Sequence, residues 1–250
     1  MRDNHFKFSL SVLALPLFCV LSLWIVFWAE RKFHFDASGY GIYPRTSEGF
    51  RGVIFSPFIH GDIEHLYNNS IPLLILIAAL RYFYRSNSLQ ILGFGILISG
   101  TLTWIIGRDS YHIGASGLVY VLVGFIFFKG IITQYYRLVA LSLIVVLLYG
   151  SLVWHIFPET DKGISWEGHL SGFLTGFIFA VYFKTPAYKK IIKYDWEQLD
   201  YDAGQDKFMQ RFDENGNFQN IPKVDENWEY FVANLDVIYD YKSTDSNTTK

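Results

Sequence analysis

One cysteine, Cys19, stands in 250 residues, which excludes an internal disulfide framework and any metal centre built from several thiolates. Charge is scarce too, at 18% Asp, Glu, Lys and Arg against 51% hydrophobic and 19% aromatic residues, a balance unlike that of a soluble globule of this size. No HExxH metal motif occurs, no glycine-rich phosphate loop, no internal repeat and no basic stripe suited to nucleic acid. No cofactor and no metal ion are therefore expected.

What the chain has instead is long apolar runs. Uncharged stretches cover residues 8–29, 89–107, 113–128 and 138–157, with a weaker one at 170–183. About 20 helical residues span ~30 Å of hydrocarbon, so most of these are long enough. Residues 66–84 hold Asn68, Asn69, Ser70 and Arg81, but their centre is solidly apolar and an even number of spans suits the charge pattern. The expected fold is all-α, a polytopic bundle of six transmembrane helices in residues 1–187, followed by a short soluble acidic tail, 188–250. The run at 8–29 is too long for a secretory signal and lacks a small-x-small cleavage site, so it reads as a retained span.

The net charge of −2 conceals an asymmetry: residues 1–190 carry 15 basic and 10 acidic side chains, residues 191–250 carry 6 and 13. Basic residues flank alternate connections: Arg2 and Lys7, Arg81 and Arg85, Lys129 and Arg137, then Lys184, Lys189, Lys190 and Lys193. Both termini are expected in the cytoplasm, although Glu30, Arg31 and Lys32 at the outer end of span 1 oppose that bias. Residues 30–60 form a glycine- and aromatic-rich outer loop, expected to lie half-sunk in the membrane interface. The tail holds Trp196, Trp228, Tyr230 and Phe231, and a small helical appendage or an interaction tail is expected there.

Polar groups inside a bilayer are costly, so they mark where function resides. Ser116, in Gly114-Ala115-Ser116-Gly117, opens span 4, where free helix amides and the dipole favour a developing anion; a plain N-cap would look the same. His169 shares a helical face with Gly172, Gly176 and Ala180 in span 6, a pattern that also serves ordinary close packing. If span 4 is the partner helix, a hydroxyl and a base meet at matching depth. His65 and Asn69, at i and i+4 on span 2, can aim side-chain donors at one point, or with His60, Asp62 and Glu64 make a plain polar helix start or a metal site of poor spacing. Tyr120, one turn below Ser116, is placed to lie against His169 or simply to pack.

HxxxN in span 2, GxSG followed by tyrosine in span 4, and HxxGxxxG in span 6 together resemble the rhomboid proteases over roughly residues 8–185. His60 and the Phe50-Arg51 pair look like that family's additional histidine and its Trp-Arg pair, with Phe in place of Trp. The resemblance implies an intramembrane serine endopeptidase with a Ser116/His169 dyad lacking a carboxylate, and an acyl-enzyme. It implies an oxyanion site from His65, Asn69 and the Ser116 amide, and support from Tyr120, Gly114, Gly117, Gly172, Gly176 and His60. The partners it implies are the lipid bilayer and transmembrane protein substrates, cut near the outer face and admitted between spans 2 and 5. The competing readings are an inactive relative that binds membrane clients, which should lack Ser or His at the key positions, and a small transporter, which should carry more intramembrane charge and an inverted repeat.

Overall fold

The computed structural model describes residue 6 and residues 8–158, 165–184, 194, 200–202 and 204–219. The chain divides into two compact units, residues 1–189 and residues 190–250. Among the described residues of the first unit every regular element is helical, and the one β-type pairing is an isolated antiparallel bridge between Ile42 and His112.

The long helices among the described residues of this unit are six: α1 (Ser11–Phe33), α2 (Ile63–Phe83), α3 (Ser88–Ile106), α4 (Ser116–Thr133), α5 (Tyr136–Tyr149) and α6 (Trp166–Tyr182). The first four, and α5 taken together with the 3-10 turn Gly150–Ile156 that continues it, are long and apolar enough to cross a membrane. At 17 residues α6 is shorter, rising about 25 Å at ~1.5 Å per residue. The expected six-helix bundle is therefore present, but the run at 138–157 is not one uniform helix. Its α-helical part ends at Tyr149, and Gly150 begins a tighter winding that brings new backbone carbonyls to the outer end of the bundle.

Because lipid solvates apolar side chains, the bundle is held together by close fit more than by hydrophobic contrast. α4 is the most enclosed helix, packed against α2, α3, α5 and above all α6. A Cβ built on Gly172 would fall 2.2 Å from the Gly117 carbonyl oxygen, and one on Gly176 would fall 2.4 Å from the Val121 carbonyl oxygen. Glycine at these positions lets the two backbones touch. At the opposite end the Lys129 ammonium, buried, donates to the Ala180 carbonyl (2.9 Å) and to that of Phe183, where the C-terminal dipole of α6 welcomes a cation. Outward-facing residues such as Leu17, Phe18, Ile98, Leu147 and Ile178 are exposed in the isolated chain, as a lipid-facing surface requires.

The outer loop folds back on the bundle. Arg45 donates to the Gly107 carbonyl (2.6 Å) and pairs with Asp109, Trp104 Nε1 donates to the Thr46 carbonyl (2.8 Å), and Phe50 meets Trp104 edge to face. Arg51 lies over the Tyr40 ring and donates to the Gly39 carbonyl, so Phe50 and Arg51 both find partners without a tryptophan at position 50. Burial in this loop falls on Ala37, Ile42, Val53, Ser56 and Ile59, while Phe33, Phe35, Tyr40, Phe50 and Phe55 remain exposed.

In the second unit the described residues include a 3-10 turn, Met209–Arg211, and a bridge between Phe212 and Phe218 closed around Asp213, Asn217 and Gly216. These described residues form turns; Trp196, Trp228, Tyr230 and Phe231, on which the expectation for the tail rests, lie outside the described residues, as do Lys189, Lys190 and Lys193.

Candidate active site

Ser116 is the first residue of α4, reached through Gly114, whose φ of 104° is a left-handed conformation that side chains other than hydrogen resist. A Cβ there would also fall 2.5 Å from His65 Nε2, so glycine both turns the chain and makes room for the imidazole on α2. Ala115 at the N-cap offers no side-chain acceptor, leaving the first-turn amides of α4 uncapped beside the Ser116 hydroxyl.

The small-residue face of α6 sets His169 against this helix end, and His169 Nε2 lies 2.9 Å from Ser116 Oγ. His169 Nδ1 lies 3.0 Å from the backbone carbonyl of His155, on the 3-10 turn after α5. A carbonyl can only accept, so Nδ1 carries the proton of the neutral ring and Nε2 is left free to accept from the Ser116 hydroxyl. The Tyr120 ring stacks on the imidazole at 4.3 Å and 15°, and its hydroxyl donates to the Leu152 carbonyl at 2.7 Å on the same turn. Burial, a carbonyl and an aromatic face thus orient the His169 imidazole.

A cavity of about 870 Å³ opens beside this pair, with Ser116, His169, Tyr120, His65 and Asn69 in its wall. Pro72 of α2 and Tyr149 and Leu152 of the α5 segment border the same space. Behind Ser116 a narrow polar recess of about 40 Å³ touches Ser99, Thr103 and Gly168 and has room for a water molecule or so. Asn69 Nδ2 donates to its own helix at the His65 carbonyl (3.1 Å), which uses one of its two N–H bonds. Of the small residues named from sequence, Gly117 and Gly172 abut one another just below the pair and Gly176 sits a turn deeper.

His60 is not in the wall of that cavity. It is 3% exposed, its ring meets His65 edge to face at 4.9 Å, and burial, reinforced by His65, pushes it down to about 4. A histidine held neutral in the fold but free to protonate near 6.5 when unfolded takes stability away as pH falls between those values. The thermal midpoint in detergent should therefore drop from pH 6.5 to pH 4.5, and His60→Phe should show a smaller drop; an identical profile for the two proteins would contradict the assignment.

Three groups escaped the sequence reading: the His155 carbonyl, His112 and Ser165. A backbone carbonyl leaves no sequence signal. His112 and Ser165 left one, since each lies four residues ahead of a candidate catalytic side chain.

A sequence profile of the rhomboid domain matches residues 47–185. Uncharacterized proteins of Mycobacterium tuberculosis and Mycobacterium bovis are each 34% identical over 163 residues, which is 60% of this chain and 65% of each relative. An uncharacterized protein of Mycobacterium leprae is 28% identical over 146 residues, 55% of this chain and 58% of that relative. The chain thus spans less than two thirds of the length of the curated relatives it matches.

Proposed function

Because the chain belongs to the rhomboid family, we propose that it is an intramembrane serine endopeptidase in which Ser116 is the nucleophile and His169 the general base. The observation that carries this reading is the 2.9 Å bond between Ser116 Oγ and His169 Nε2, on an imidazole whose tautomer is set for proton acceptance by the His155 carbonyl. His169 takes the hydroxyl proton as Ser116 Oγ attacks the scissile carbonyl carbon. The imidazolium then gives that proton to the leaving amine as the C–N bond breaks, and the ester left on Ser116 is hydrolysed by water activated through the same nitrogen.

The oxyanion of the tetrahedral intermediate falls to the Ser116 amide at the uncapped start of α4, where the helix dipole favours negative charge, and to the side chains of His65 and Asn69. Losing one such donor costs about 3 kcal/mol of transition-state stabilisation, so Asn69→Ala should lower kcat roughly 10²-fold with little change in KM. Steady-state cleavage of a reporter transmembrane substrate in proteoliposomes checks this. Full activity in Asn69→Ala would remove Asn69 from the site.

Substrates are transmembrane segments cut near the membrane face onto which the cavity opens. The border that Pro72, Tyr149 and Leu152 give the cavity favours lateral approach between α2 and α5. A segment with helix-breaking residues and a small side chain before the cut suits a site that needs an extended backbone. The end of the bundle remote from the cavity, where Arg81 bonds Ser11 and the Arg85 carbonyl and Asn87 bonds the Lys184 carbonyl, is the cytoplasmic one by its basic residues. Both termini then face the cytoplasm, with residues 1–187 as the membrane domain and residues 188–250 as an acidic tail.

A fluorophosphonate probe tests the reading directly. The purified protein should take up one label, and peptide mass spectrometry should locate it on Ser116. Absence of labelling under conditions where the protein stays folded would favour a client-binding role instead.

A further inference from the structure

The segments leading into α4 and α6 are joined twice, in the same register. His112 precedes Ser116 by four residues and Ser165 precedes His169 by four. His112 Nδ1 lies 2.6 Å from Ser165 Oγ, and both this pair and the Ser116–His169 pair are 53 residues apart in sequence. The residue types are exchanged between the two pairs: histidine stands on the Ser116 side and serine on the His169 side.

The hydrogen positions in the outer pair follow from its neighbours. His112 Nε2 lies 3.1 Å from the Arg108 carbonyl, which can only accept, so the neutral ring bears its proton there and Nδ1 accepts from the Ser165 hydroxyl. Ser165 Oγ in turn accepts the Gly168 amide at 3.2 Å, capping α6 immediately before His169. The backbone of His112 is fixed by two bonds to Ile42, at 2.9 and 2.8 Å. Glu167, 1% exposed, accepts the Arg108 amide at 3.2 Å and so braces the loop that carries His112 from the α6 side. Burial pushes His112 below its usual range, which keeps the ring in the neutral form this arrangement needs.

We infer that His112 and Ser165 are positioning residues whose hydrogen bond fixes the separation of Ser116 and His169, with Glu167 holding the His112 loop in place. The inference rests on the dyad reading above. A dyad without a carboxylate has few other constraints at its outer side, and a misplacement of ~1 Å in such a site can cost about 10²-fold in rate. Glycine packing between α4 and α6 sets the helices below the pair; the His112–Ser165 bond sets the segments above it.

The test is a double-mutant cycle on cleavage of a reporter transmembrane substrate by the full chain in proteoliposomes, with fluorophosphonate labelling rates measured in parallel. His112→Ala leaves the α6 cap in place and Ser165→Ala does not, so a loss common to both reports the bond they share. Each should lower kcat by roughly 10- to 100-fold with KM within about twofold, the double variant should be no slower than the slower single, and Ser165→Thr should retain most of the wild-type rate. Wild-type turnover in either alanine variant, multiplicative losses in the double, or equal losses in Ser165→Thr and Ser165→Ala would overturn the inference. Should the wild type fail to label at all, the protease reading falls and this inference with it. A labelled wild type matched by an equally fast Ser165→Ala removes only the positioning role.

Discussion

Ser116→Ala should bring cleavage of a reporter transmembrane substrate to background, a loss of about 10⁴-fold or more, while leaving the thermal midpoint within a few degrees. The large kinetic and small structural effects both follow from the geometry. Ser116 Oγ is bonded to His169 Nε2 at 2.9 Å, and the N-cap of α4 is Ala115, so the Ser116 side chain is not the helix cap. Removing it takes away the proposed nucleophile and leaves helix packing intact. The comparison also decides between two serine–histidine pairs in one cavity wall, because Ser165 and His112 are bonded at 2.6 Å and both touch the same space as Ser116. Ser165 Oγ is taken up capping α6, where it accepts the Gly168 amide at 3.2 Å, whereas the start of α4 has no side-chain cap, so the first-turn amides beside Ser116 stay available to an anion. Retained turnover in Ser116→Ala would sink the assignment, and its loss in Ser165→Ala alone would move the nucleophile to that residue.

Gly172→Val is expected to be nearly as damaging by a different route. The added Cβ would fall 2.2 Å from the Gly117 carbonyl oxygen and 2.9 Å from Tyr120 Cβ, contacts that backbone and a buried ring cannot yield without moving α4 and α6 apart. Overpacking of this kind typically costs about 1–3 kcal/mol of stability, so the thermal midpoint should fall by several degrees. The same displacement spreads Ser116 from His169 and shifts Tyr120 off the imidazole, so turnover of the fraction that still folds should drop at least ~10²-fold. Detergent-solubilised protein assayed by thermal unfolding and fluorophosphonate labelling separates the two effects. A variant that melts and labels like the wild type would refute the close approach of the two helices.

Much of this was legible in the linear chain because it depends on local composition. The runs at 89–107 and 113–128 lie within or overlap α3 and α4, since each helix must satisfy its own backbone bonds in hydrocarbon. The face of His169, Gly172, Gly176 and Ala180 follows from helical periodicity, and its small side chains announce a backbone contact without saying with which helix. Which side chains of the 30–60 loop turn inward, Ile42, Val53 and Ile59 among them, was not legible, because composition shows that a segment is amphipathic but not which side chains its turns direct inward.

Composition by itself determined that this chain is a helical membrane protein, and its motifs, which resemble those of the rhomboid family, marked which serine and histidine are candidates for chemistry, because hydrophobic length and motif identity are properties of residues near one another in sequence. Tertiary structure alone decided that Nδ1 of His169 meets the His155 carbonyl, that the Tyr120 hydroxyl reaches Leu152, and that His112 bonds Ser165 in register with Ser116 and His169. Those are bonds between segments 14 to 53 residues apart, two of them to main-chain oxygens that every residue possesses, and only the packing of the helices selects which one is reached.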